Sequence, residues 1–218
     1  NVDVTKAGSQ LAAAAVDNVK NGMAITFSDN FTTIGVETKE DNDSVHITTA
    51  AKGASITITD QAGTTDDVTI VGTNNTTLAA STNDGDLTMN VTGKLTVTDA
   101  DVAAGTVSLT ATGKLDIDGL EAAKTVTLSG AGVNDGVTDN SSNWTEGDNV
   151  AAVKTLNVSG NDAALELVLA TGDFTSLSTI NISGDQDVEV SVSGADIDNL
   201  TSDQITVTDT STGTSTLK

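Results

Sequence analysis

Along most of the chain, apolar and polar residues alternate with period two, the pattern of a strand that buries one face. The alternation predicts strands at VHIT (45–48), SITIT (55–59), VTIV (68–71), LTMNV (87–91), LTVT (95–98), VSLTA (107–111) and LDI (115–117). It continues at VTL (126–128), TLNV (155–158), LELVL (165–169), INI (180–182), VEVSV (188–192) and QITVT (204–208). Turns rich in Gly, Asn and Asp separate these runs. One segment departs from the pattern. SQLAAAAVDNVK (9–20) predicts a short N-terminal helix, with Ala and Leu as helix formers, Ser9 as its cap and Asn21-Gly22 as its stop.

The strands recur at near-constant intervals. Leu87, Val107 and Val126 begin equivalent strands 20 and 19 residues apart, and Leu95 and Leu115 lie 20 apart. Leu156, Ile180 and Ile205 follow at 24 and 25, and Leu165 and Val188 at 23. A fixed period of this size is the signature of a solenoid. The expected fold is all-β: a parallel β-helix or β-solenoid with coils of about 20–25 residues and two or three short strands per coil. Ser-Gly in KTVTLSGAG (124–132) and KTLNVSGND (154–162) is expected at the corners. The chain divides into an N-terminal segment with the helix and entry strands (1–50), a first solenoid part (51–132), an acidic loop anchored by Trp144 (133–149) and a second solenoid part (150–218). A pair of immunoglobulin-like sandwiches is the competing architecture, suggested by ITITDQAGTT (56–65). Such modules span about 100 residues, and no similarity recurs at that interval.

Charge narrows the partners. The 218 residues include 25 Asp, 6 Glu and 9 Lys but no Arg, for a net charge of −22. A chain this negative repels nucleic acid and anionic lipid. No apolar run approaches the roughly 20 residues of a membrane span, so no membrane insertion is expected. Without Cys there are no disulfides or thiolate metal sites. Enzyme chemistry finds little material. His46 is the single His, no Cys or Arg accompanies it, and no glycine-rich phosphate loop occurs. Carboxylates remain. Asp is short enough to hydrogen-bond its own turn or to bring oxygens to a hard cation such as calcium. Candidate calcium ligands are Asp84 and Asp86 in STNDGD, Asp99 and Asp101 in TDAD, Asp135 and Asp139 in VNDGVTD, and Asp185 and Asp187 in GDQD. The alternative for each is an ordinary solvated turn, or adaptation of the whole surface to salt.

TLNVSGNDAALELVL (155–169) and FTSLSTINISGDQDVEVSVSGADIDNLTSDQITVTD (174–209) resemble the repeats of bacterial RTX-type surface-layer proteins. The resemblance covers residues 150–218 most closely and extends more loosely back to about residue 85. It implies a calcium-stabilised, self-assembling lattice at the cell surface, exported by a type I system, with the chain itself as partner and cell-surface polysaccharide as a further one. The calcium nonapeptides of that family are absent from this stretch, and so is any recognisable anchoring or export segment. The expected function is therefore structural, extracellular and non-enzymatic. The alternatives are a repeat module of a secreted adhesin and a filament subunit that donates a strand to its neighbour. An ice-binding module would need Thr-x-Thr once per coil on one face. TVT and TIT phrases occur, but the sequence does not show them spaced that way.

Overall fold

The computed structural model describes residues 2–4, 12–38, 44–59, 67–82, 85–102, 105–121, 124–133, 141–144, 152–169, 174–192 and 204–218. Its strands begin with β1 (Val2–Val4), β2 (Ala13–Val19), β3 (Met23–Phe27), β4 (Thr33–Thr38), β5 (Val45–Thr49), β6 (Ala54–Thr59), β7 (Val68–Gly72) and β8 (Thr76–Thr82). The middle of the chain adds β9 (Leu87–Val91), β10 (Leu95–Val97), β11 (Ala100–Asp101), β12 (Thr106–Ala111), β13 (Leu115–Ile117), β14 (Leu120–Glu121) and β15 (Thr125–Gly132). The remaining strands are β16 (Ser142–Trp144), β17 (Thr155–Leu169), β18 (Thr179–Ser183), β19 (Val188–Val192), β20 (Thr206–Asp209) and β21 (Ser215–Leu217).

These strands wind into a parallel β-solenoid with two long ladders. The first ladder stacks β1, β3, β5, β7, β9, β12, β15, the start of β17, β18 and β20. The second runs from β2 through β4, β6 and β8. It continues through β10, β13, β16, the end of β17, β19 and β21. In the middle coils β8 also pairs with β11, and β11 with β14, giving a short third side.

Register makes the core continuous. Ile25, Ile47, Ile70, Met89, Leu109, Leu128, Val158 and Ile182 form one inward column, each paired with the next. All are 0–2% exposed. Stacking like on like suits branched side chains on a pleated surface. Each fully buried aliphatic side chain contributes about 1.5–3 kcal/mol relative to exposure. The intervals read from the sequence are the ladder registers: Leu87 pairs with Val107, Val107 with Val126, Leu95 with Leu115, Leu156 with Ile180, and Leu165 with Val188. The last interval differs. Val207, not Ile205, stands opposite Ile180, so the final coil is two residues longer than expected.

The expected N-terminal helix is not formed. Ala13–Val19 is strand β2, with Ala14 and Val16 in register with Ile34 and Val36 of β4. Alanine favours helix only modestly, by tenths of a kcal/mol per residue. A waiting ladder edge and two apolar contacts at period two outweigh that. The register slips between Val16 and Val19, where Asn18 adopts φ 58°.

The acidic loop expected at 133–149 contains a strand. Ser142–Trp144 slots between β13 and the end of β17. Trp144 is fully buried and meets Phe174 edge-to-face at 5.1 Å. Ser142 ties this strand in: its Oγ accepts from the Leu115 N–H at 2.9 Å and donates to the Ala131 carbonyl at 3.0 Å.

Ser-Gly behaves differently from the expected corner. Ser129-Gly130 and Ser159-Gly160 lie within β15 and β17, with the two hydroxyls bonded to each other at 3.0 Å. A Cβ at Gly130 would stand 2.8 Å from Leu115 Cγ, so the glycine lets the opposite side of the coil close in. Gly184, at φ 101°, does turn a corner.

Candidate functional surface

The turn carboxylates are the chemistry that the sequence singles out, and the structure places several of them at the coil corners. Asp67 Oδ1 accepts the Asp86 N–H at 2.9 Å, and Asp86 Oδ1 accepts the Thr106 N–H at 2.7 Å. Two coils are stitched to a third by a staircase of side chains on one corner. Asp187 Oδ1 does the same for the Thr214 N–H at 2.7 Å, and Asn75 Oδ1 for the Lys94 N–H at 2.9 Å. Each bond satisfies a backbone donor where the ladder is interrupted. Asp86 and Asp187 thus hold coils together. Among the described residues, Asp185 Oδ1 accepts from the neighbouring Gln186 side-chain amide, at 3.1 Å. Asp99 joins the ladder through its backbone carbonyl, which accepts from Ser81. Asp101 is exposed on β11, in register with Thr82 and Glu121. Asp84, Asp135 and Asp139 lie outside the described residues. Among the described residues no three carboxylate or imidazole side chains gather as a metal cage.

A shallow groove of about 430 Å³ follows another corner, past Lys52, Asn74, Asn75 and Thr112. Its asparagines are engaged in holding coils together: Asn74 Nδ2 donates to the Ala50 carbonyl at 2.8 Å, and Asn75 caps Lys94.

The two long faces differ in charge. Outward positions of the second ladder carry acids, among them Glu37, Asp116, Glu166 and Glu189. Glu166 and Glu189 are stacked in register, like charge on like. Two lysines relieve this face: Lys94 pairs with Asp116, and Lys218 Nζ reaches Glu189 Oε1 at 2.6 Å. The hydrogen bond to Glu189, helped by that carboxylate's charge, raises the Lys218 pKa above its ordinary value.

The first ladder presents the opposite character. From β3 to β20, counting only the start of β17, no outward register position of this ladder carries Asp, Glu, Lys or Arg; the exposed Asp209 of β20 occupies the inward position opposite Ile182. The middle column reads Ala24, His46, Thr69, Thr88, Ser108, Thr127, Asn157, Asn181, Thr208. Beside it, Thr106, Thr125, Thr155, Thr179 and Thr206 stack in register. On the other side run Thr110, Ser129, Ser159 and Ser183. Side chains join along the rod, with Asn181 Nδ2 donating to Asn157 Oδ1 at 2.8 Å and Asn157 Nδ2 to Thr127 Oγ1 at 3.0 Å. His46 stands on this face between Ala24 and Thr69.

Strict Thr-x-Thr does not reveal this array. What the ladder aligns is Thr-x-Ser, Thr-x-Thr, Thr-x-Asn, Thr-x-Asn and Thr-x-Thr in five successive strands of that ladder, from Thr106 to Thr208. The signal was present as an absence of charge at the polar positions of β12, β15, the start of β17 and β18. No family model, curated protein or solved structure matches the chain.

Proposed function

We propose that this chain is a structural, self-assembling segment of an extracellular surface layer, with calcium bridging its acidic surfaces. The observation that carries this reading is the regular rod itself, two long parallel ladders wound around one continuous aliphatic core. Val2 is 36% exposed although it pairs with Ile25, which is wholly buried. At the far end Val207 and Leu217 are 43% and 44% exposed, opposite the wholly buried Ile180 and Val190. Among the described residues β1, β2, β20 and β21 each pair on one side, and the inward column of the first ladder ends on Asp209, which stands opposite Ile182. A strand paired on one side can take a further parallel coil, whether the chain's own or a neighbour's. A rod of regular coils with a net charge of −22 to be screened suits a lattice element more than a ligand-binding pocket. The resemblance of residues 150–218 to surface-layer repeats points the same way.

Sedimentation of the purified chain in calcium and then in EGTA, with circular dichroism on the same samples, tests this. The expected result is reversible assembly in calcium and loosened β structure in EGTA. A β-rich monomer under both conditions refutes assembly and leaves the adhesin module as the better reading. Polymers that resist EGTA refute the calcium role and favour strand donation.

A further inference from the structure

We infer that the uncharged outer face of the first ladder is a contact surface for a second copy of this chain, packed face to face with the two rods antiparallel and the two-fold axis over β12. This deepens the self-assembly half of the reading above and does not rest on calcium.

Charge is spread unevenly over the rod. A chain at −22 repels its own copies over its acidic corners and second face. Among the described residues, the first face from β3 to β20 offers nine strands without a charged side chain at an outward register position. Two of these surfaces can meet without burying an unpaired charge.

The uncharged face is also large enough for a stable contact. Nine strands about 4.8 Å apart, each presenting about 16 Å of length, give roughly 700 Å² per copy, or about 1,400 Å² for the pair. That falls within the range of stable interfaces. The side chains are small hydroxyls and amides, so the sheets approach closely, and both copies necessarily share the same ladder spacing.

Symmetry fixes the arrangement. An isologous contact needs a self-complementary patch. β12 is the middle strand of the uncharged span, with four strands on each side in the ladder order. A two-fold axis along it places Ser108 against Ser108 of the other copy. The same axis brings the β9 corner of one rod to the β15 corner of the other, and β7 to β17. Asp86 precedes β9 and Asp67 precedes β7, while Lys124 precedes β15 and Lys154 precedes β17, all four exposed. The pairing thus sets Asp86 opposite Lys124 and Asp67 opposite Lys154. The centre of the neutral face and the centre of the charged rim coincide, although neither observation depends on the other.

The absence of Cys makes the test clean. Ser108→Cys and Thr96→Cys, the latter on the second face, would each be treated with a short bis-maleimide linker after sedimentation of the parent chain. Ser108→Cys is expected to give covalent dimer and Thr96→Cys none. Ser108→Asp, which sets like charges against each other, is expected to weaken dimerisation at least about tenfold. Lys124→Glu with Lys154→Glu should weaken it less, and more so at low salt. Equal crosslinking from both cysteines overturns the proposal. Assembly that persists unchanged in Ser108→Asp also overturns it, while leaving end-to-end assembly standing. A parent chain monomeric at all concentrations removes both. If that monomer depresses the freezing point, the face belongs to ice rather than to a second copy.

Discussion

Trp144 offers the sharpest check on the architecture, because it lies in a segment where the sequence predicts a loop. Replacing it with Ala removes a wholly buried side chain and its edge-to-face contact with Phe174 at 5.1 Å. Burial of a Trp removes about 200 Å² from water, worth about 5 kcal/mol as an upper figure at 25 cal/mol per Å². The aromatic pair adds about 0.5–1.5 kcal/mol. One term opposes these. Nε1 is buried and has no hydrogen-bond partner among the described residues, which costs about 1–3 kcal/mol. The net expectation for Trp144→Ala is a loss of about 3–5 kcal/mol, the usual range for such truncations. Trp144→Phe keeps the contact with Phe174 and deletes the orphan N–H, so it should lose less than about 1.5 kcal/mol. Urea unfolding followed by far-ultraviolet circular dichroism measures both variants. Intrinsic fluorescence of the parent reports this one Trp alone, and its emission should be blue-shifted in the native state. Native emission as red as that of the unfolded chain, or an Ala variant as stable as the parent, would refute the placement of β16 in the second ladder.

Other expectations follow from the same geometry. Asp67→Ala and Asp86→Ala should each cost about 0.5–1.5 kcal/mol, because a backbone N–H on the next coil loses its acceptor, and unfolding curves would show it. Gly119→Ala brings a Cβ to 2.6 Å from the Thr98 carbonyl oxygen and should cost about 1–3 kcal/mol, whereas Gly35→Ala, with 3.9 Å of clearance, should cost little. The hydroxyl of Ser211, and then its N–H, hold the Asp209 carboxyl below its ordinary pKa. A lowered value contributes stability above the unfolded pKa of about 3.9, lost as pH falls through the folded one. Ser211→Ala should therefore move the Asp209 titration upward in a carboxylate NMR experiment.

The sequence by itself determined the local geometry of the coil and its period. Alternation is a property of neighbouring residues, so β9, β13 and β19 could be read to the residue. Ladder register follows from the same intervals, since each coil repeats the one before it, and Leu87, Val107 and Val126 announce their pairing. β4 was not singled out although it alternates cleanly, and a strand without clean alternation was missed. β8 contains a bulge, its pairing with β6 jumping from Leu78 to Ala80, and this hides the period. Only the tertiary structure decided the rest. The ladder edge at β4 drew Ala13–Val19 into a strand against its propensity. Asp86 and Asp187 became caps because the next coil's N–H lies above them, a neighbour 20 or more residues away that no local pattern reveals. The segregation of charge onto one long face arises in the same way. Each strand shows merely a polar residue between apolar ones, and stacking alone brings all the uncharged ones together.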